Sequence, residues 1–272
     1  MQSFLRRPAR ALPAAVLGGA LMVVTPLSFA QAFDAVRLFG AAPNTDGGRA
    51  GVAVITGREY PGSDERRTRL LPGLDYQWKS GWFAGTTNGI GFDFSQRPDM
   101  NYGLRLTADF GRDESLSSAL RGLGDIDAAP EIGAFLNYSP LRALTLTSSV
   151  RYGSGNDNKG LVLDLGVVHS ARLANAWRLG VGVAGSYVNR EYMQDYFGIT
   201  PAQSAASGYR VYRPDAGVRD VRASLSLTYL AAPRTAATLA TSVSRLQGDA
   251  ADSPLTRKET SVGGVLALSY AF

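Results

Sequence analysis

From residue 49 to the last residue the chain is a succession of short runs in which large apolar residues alternate with small or polar ones. Side chains on a strand point to opposite faces in turn, so this period predicts strands rather than helices. Twelve segments follow it, at 49–57, 69–79, 82–87, 89–94, 102–110, 131–139, 143–152, 161–169, 177–187, 217–230, 235–246 and 261–272. In the fifth, Tyr102, Leu104, Leu106, Ala108 and Phe110 oppose Gly103, Arg105, Thr107 and Asp109. The first and eleventh match more weakly. Pro72 lies inside the second and lacks a ladder donor, which predicts a bulge or distorted pairing there.

The apolar rows repeatedly begin or end in an aromatic residue, as at Tyr76, Trp78, Phe110, Tyr152, Trp177, Tyr187 and Tyr229. The opposite rows are Gly, Ser and Thr with scattered Asp and Arg. A soluble sandwich also alternates, but its apolar face packs a core. Aromatic girdles around an apolar belt, over a polar interior, predict an all-β antiparallel transmembrane barrel. The last segment presents Leu266, Leu268, Tyr270 and Phe272 on one face and ends the chain on an aromatic residue. It resembles the closing strand and assembly signal of an outer-membrane barrel, which implies the barrel-assembly machinery as a partner.

Connections supply a second test. If the first strand starts in the periplasm, even-to-odd connections should be short turns and odd-to-even ones outer loops. The former are 80–81, 95–101, 140–142, 170–176 and 231–234, all short. The latter include 111–130, 153–160, 188–216 and 247–260, with only the 87–89 hairpin short. About twelve strands with both termini periplasmic account for every segment.

Arg6, Arg7 and Arg10 precede an apolar run through Leu27, then Ala30-Gln31-Ala32. This predicts a secretory signal over 1–32, cut after Ala30 or Ala32, rather than a membrane anchor. A periplasmic segment, 33–48, and the barrel, 49–272, follow. Without the three signal arginines, the formal charge falls from +5 to 25 basic against 23 acidic residues, so no nucleic-acid partner is expected. Cys is absent, excluding disulfides, thiol nucleophiles and thiolate metal sites. The expected location is the outer membrane of a Gram-negative bacterium, in contact with outer-membrane lipid and lipopolysaccharide.

The inward rows carry Asp75, Asp93, Arg105, Asp109, Glu131, Arg151, Asp164, Arg178, Asp220 and Arg222. Buried charges must pair or stay hydrated, so an ion-pair network filling a narrow lumen is expected, with a selectivity ring as the alternative. In the longest loop Thr200, Pro201 and Gln203 predict the start of a helical turn that Gly208 ends. Tyr192, Met193, Tyr196 and Phe197 are expected to fold that loop over the barrel mouth. The one His, His169, is followed by Ser170 near a strand's periplasmic end, facing lipid headgroups. It is read as interfacial, and no catalytic, cofactor-binding or metal residue is assigned. The glycines at 180, 182 and 185 match G-x-G-x-x-G inside a strand, where no helix opens to bind a dinucleotide. Asp113, Glu114, Asp125, Asp127, Asp157, Asp249 and Asp252 are read as solvated loop acids.

The segment Tyr192-Met193-Gln194-Asp195-Tyr196-Phe197-Gly198-Ile199-Thr200-Pro201, continuing to Gly208, is similar to the MipA/OmpV family of outer-membrane proteins. E-Y-P-G-S-D at 59–64, R-G-L-G-D-I-D at 121–127 and R-L-Q-G-D-A-A-D-S-P at 245–254 fit the same family. The resemblance implies a barrel that scaffolds a lytic transglycosylase and a bifunctional murein synthase. Some relatives are treated as antigens, adhesins or stress-linked proteins. One departure is G-S-G-N-D-N-K-G at 153–160, where relatives tend to carry His.

Overall fold

The computed structural model describes residues 46–272. The expected signal peptide, its cleavage residues Ala30 and Ala32 and most of segment 33–48 lie outside the described residues. Twelve strands run in order: β1 (Gly47–Arg58), β2 (Arg66–Gln77), β3 (Trp82–Gly85), β4 (Gly89–Asp93), β5 (Met100–Asp109) and β6 (Ala129–Leu141). After these come β7 (Leu144–Ser154), β8 (Gly160–Arg172), β9 (Trp177–Val188), β10 (Gly217–Ala232), β11 (Thr235–Leu246) and β12 (Thr260–Ala271). Each pairs antiparallel with the next, and β1 pairs with β12 to close the barrel.

The alternation sorts as lipid-facing and lumen-facing rows. Leu70, Ile132, Leu239 and Leu268 stand 67%, 69%, 60% and 56% exposed, and Leu266, Tyr270 and Phe272 lie on the same outer face. That apolar surface is far larger than a soluble protein leaves uncovered, and closure leaves the barrel no end strands. Trp82 packs on Phe92 at 5.3 Å and Trp177 on Tyr229 at 4.8 Å, near the end where β1 begins and β12 finishes. These aromatics form the girdle there.

Phe272 completes the seam. Gly48 and Phe272 exchange backbone hydrogen bonds of 2.9 and 3.0 Å, and the Phe272 ring lies 6.2 Å from that of Tyr76. A Cβ on Gly48 would overlap the Phe272 ring and approach Tyr76 Cδ2 at 2.8 Å. Gly48→Val is therefore expected to displace the terminal ring and lower the yield of folded barrel severalfold, read by heat-modifiable electrophoretic mobility.

At Pro72 the structure corrects the expected bulge. The β1–β2 register is unbroken from Gly47↔Gln77 to Arg58↔Arg66. Leu74 exchanges bonds with Thr86, so the even residues of β2 turn their backbone groups toward β3. But β3 reaches only Gly85, which pairs with Asp75, and the β3–β4 hairpin stops there. The missing donor of Pro72 thus points where no strand follows. On the far side, β4 pairs with β5 only up to Leu106. A notch in the wall is left between the upper halves of β2 and β5.

Candidate functional site

The strand register gathers charge that is scattered in sequence. Phe135, Ser149, Asp164, Ser186 and Asp220 are successive partners across β6 to β10, forming one inward row. Arg105, Gly133 and Arg151 are successive partners on β5, β6 and β7. Gly133 makes room for the two arginines: a Cβ there would lie 3.2 Å from Arg151 Cγ and 3.5 Å from Arg105 Cγ.

Arg151 pairs with Glu131 at 3.1 Å and with Asp164 at 3.2 Å. Arg222 pairs with Asp164 and with Asp220, each at 3.1 Å. Ser154 and Ser186 donate to Glu131 and Asp164, each at 2.5 Å. Burial this deep is tolerable because every charge has an opposite charge and additional hydrogen bonds. Glu131 and Asp220 are 1% and 0% exposed, whereas Asp164 keeps 20% exposure on the chamber side of the cluster.

Sequence reasoning missed one member. Arg219 pairs with Asp220 at 2.6 Å and donates to Tyr192 Oη at 2.8 Å. The alternation assigned it outward, but a bulge between Val218 and Asp220 inserts one extra residue opposite β9. The insertion turns Arg219 and Asp220 inward together. The signal available was the R-D-V-R run, which crowds two arginines around an acid.

The remaining predicted charges have further partners around the lumen. Asp75 accepts from the backbone and hydroxyl of Thr87 at 3.1 and 2.8 Å, pinning the β3–β4 tip. Asp93 accepts from Asn101, which in turn accepts from Asn137. Arg105 donates to Ser149 at 2.7 Å and lies over the Phe135 ring. Asp109 accepts from Tyr196 Oη at 2.5 Å. Arg178 takes part in no ion pair among the described residues. The opposite wall carries an apolar patch: Ile55, Ala240 and Val265 cluster inward, with Ala53, Leu71 and Ala267 beside them. A weak alternation in 49–57 is the sequence trace of this wall, since both faces of β1 are apolar.

At the end away from the chain ends, the long loops fold into a cap. Helix α1 (Arg190–Phe197) was not expected from the sequence, although Asn189 caps it and apolar residues recur at helical spacing. Helix α2 (Pro201–Ser207) has the capping box of Thr200 and Gln203 and ends at Gly208 in the left-handed region. A short α3 (Gly248–Asp252) completes the set. Met193 and Phe197 are 0% and 1% exposed, in a core with Ile126, Val162, Val188, Leu246 and Ala250. Tyr60, Leu120, Leu123, Ile199 and Leu255 form a second core.

The cap is locked to the ion network through two stacked tyrosines, Tyr192 and Tyr196, 4.5 Å apart. Burial raises both hydroxyls above the ordinary phenol range, so each remains neutral while bonded to Arg219 and Asp109. Burial pushes Tyr60 up to about 12. Arg112, buried in the cap, donates to Tyr196 O at 2.8 Å near the C-terminus of α1, where a cation is favoured. Asn189 also accepts from Leu161 N at 2.8 Å while capping Tyr192 N at 3.1 Å. Asn189→Ala is expected to destabilise the cap by about 1–2 kcal/mol, read as faster hydrogen exchange confined to 189–198.

Several loop acids are tied into turns rather than simply solvated. Glu114 accepts from the amides of Gly122 and Gly124 at 3.1 and 3.0 Å, and Asp125 accepts from Glu114 N at 2.8 Å. Asp249 accepts from Asp215 N at 2.6 Å. His169 is exposed and pairs in register with Leu144 and Val181 on the outward face. The glycines 180, 182 and 185 lie within β9.

Toward the end where β1 begins and β12 finishes, the lumen holds a chamber of about 610 Å³. Gln77, Asn101, Asn137, Thr147 and Ser224 supply neutral polar groups to its wall. Gly47, Pro98, Ser139 and Phe272 line its lip, at the barrel rim.

The sequence profile of the family described as MltA-interacting protein MipA matches residues 50–272. The chain belongs to this family. The four segments that carried the MipA resemblance are those that build the cap. Tyr60 Oη donates to Leu255 O at 3.2 Å, Gln203 Nε2 to Leu123 O at 2.6 Å, and Ser253 Oγ to Phe197 O at 2.6 Å. Membership and the apolar belt place the protein in the outer membrane of a Gram-negative bacterium. No curated protein matches the chain. Among solved structures, the NanC porin is 12% identical with a TM-score of 0.46, over 80% of this chain and 98% of that one. An outer membrane channel from Pseudomonas putida is 14% identical with a TM-score of 0.47, over 86% and 98%. The KdgM porin is 8% identical with a TM-score of 0.43, over 82% and 99%. These likenesses are remote, and the barrel assignment rests on the register of the strands.

Proposed function

We propose that this MipA-family barrel is a non-enzymatic adaptor that holds murein-remodelling enzymes, a lytic transglycosylase and a bifunctional murein synthase, at the inner face of the outer membrane. The observation that carries this reading is the buried ion cluster in the lumen. Arg219, Asp220, Arg222 and Glu131 belong to it, and α1 covers it. A lumen occupied in this way favours a role for the barrel's surface over one for its interior. The family description, which names an interaction with MltA, supplies the class of partner. In this reading both chain ends and the five short turns face the periplasm. Exposed Trp78 and Trp82 flank one of those turns. An enzymatic role is disfavoured by His169, which faces outward.

The test is photocrosslinking in intact cells from residues 33–48 and the short turns. Recovery of a lytic transglycosylase or murein synthase is expected. Abundant, folded barrel that traps no murein enzyme would defeat the adaptor reading. The chamber favours a second reading, a gated channel for small polar solutes. Its sign would be conductance in planar bilayers that changes when Arg105, Arg151 or Asp220 is neutralised.

A further inference from the structure

The outer face of the barrel carries one feature that neither a scaffold nor a channel requires. Arg58 and Arg66 are direct cross-strand partners at the capped ends of β1 and β2. Both continue the even-numbered, lipid-facing rows that include Val52, Val54, Leu70 and Leu74. Like charges placed directly opposite repel. Here their guanidinium groups also converge. Arg58 Nη1 donates to Asp64 O at 2.8 Å; Arg58 Nη2 donates to Thr260 O at 3.4 Å and Arg66 Nη2 to Val262 O at 3.0 Å, two same-side carbonyls of β12.

Neither arginine forms an ion pair with a carboxylate among the described residues. The neighbouring Arg67 and Arg69 turn inward to Glu59, and Arg245 pairs with Glu259 at 3.0 Å. Arg58 Nε is buried and without a hydrogen-bond partner among the described residues. Two convergent guanidinium groups with N–H donors beyond those used for backbone carbonyls suit an anionic oxygen cluster.

Depth in the membrane indicates which anion. Arg66 and the girdle residue Tyr76 share one face of β2, ten residues apart. At about 3.3 Å per residue and a tilt of about 40°, they are separated by roughly 25 Å along the membrane normal. That is the height of the apolar band, so the arginine pair lies at the headgroup level of the far leaflet. Directly below it the notch above the β3–β4 hairpin thins the wall, beside exposed Leu70, Leu74 and Leu106. Pro72 blocks that edge against an added strand.

We propose that Arg58 and Arg66 bind the phosphate of an anionic membrane lipid in the leaflet that meets the capped end, with an acyl chain lying along the notch between β2 and β5. The phosphate offsets the repulsion between the arginines, and the chain covers the unpaired edge of β2.

Native mass spectrometry of the detergent-purified full barrel tests this. Phosphorylated lipid A and its dephosphorylated form are the probes, with inorganic phosphate as competitor. The phosphorylated lipid is expected to be retained at least tenfold better than the dephosphorylated one. That preference should vanish in R58Q/R66Q and persist in R245Q. Inorganic phosphate should not displace the lipid. Unchanged retention by a folded R58Q/R66Q barrel, or displacement by equimolar inorganic phosphate, overturns the proposal. If the double variant fails to fold, R66Q alone, at an exposed strand end, keeps the comparison available.

Discussion

Replacing Asp220 with Ala is expected to destabilise the barrel by about 3–5 kcal/mol, the usual cost of removing one partner from a buried ion pair. Asp220 is fully buried and bridges Arg219 at 2.6 Å to Arg222 at 3.1 Å. Its removal leaves two buried guanidinium groups without this carboxylate, while Asp164 still pairs with Arg222. Asp220→Asn should cost nearly as much, because shape is kept while charge is lost. The measurement is the urea midpoint of the refolded barrel in detergent, with heat-modifiable mobility as a second readout. An unchanged midpoint would mean that water or an ion already screens this cluster. Asp164→Asn gives the comparison. Asp164 faces two arginines but is one-fifth exposed, so its loss should be milder.

The second large effect is expected in the cap. Phe197→Ala removes a fully buried aromatic from the core that α1 shares with the rim of the barrel. Truncations of this kind cost about 3–5 kcal/mol. Met193→Ala should cost about 2–5 kcal/mol for the same reason. The loss falls on the cap, because the strand ladders below do not depend on either side chain. Limited proteolysis should therefore cut within 190–208 while the barrel keeps its heat-modifiable mobility. Conductance separates the two proposed roles. Under the adaptor reading, loosening the cap leaves the bilayer current at baseline, because the ion cluster still occupies the lumen. Under the channel reading, the same variants conduct.

Most of the wall was legible in the sequence because a strand in a barrel obeys two local rules. Side chains alternate between lipid and lumen, and strand ends carry aromatics and turn residues. Tyr102–Asp109 and the run from Val221 to Tyr229 display both, and the twelve segments proposed from them are the twelve strands found. Loop lengths alternated for an equally local reason: short connections gather at one end and long ones at the other.

What stayed hidden depends on register or on contacts between distant segments. The bulge before Asp220 shifts one residue and so recruits Arg219 into the lumen, which alternation alone assigns outward. The harmlessness of Pro72 follows from how far β3 extends, a property of the neighbouring strand. The α1 helix is eight residues long, too short to persist unaided. It holds because Tyr192, Met193, Tyr196 and Phe197 pack with Ile126 and Ala250 of two other loops and with the strand-end residues Val162, Val188 and Leu246. The sequence by itself determined a lipid-facing, twelve-stranded barrel with charge inside and apolar residues in its longest loop. Only the tertiary structure decided which charges meet, how the long loops close over them, and that two arginines face each other on the outer wall. Alternation is written one residue at a time, whereas pairing across strands is fixed only when the sheet closes.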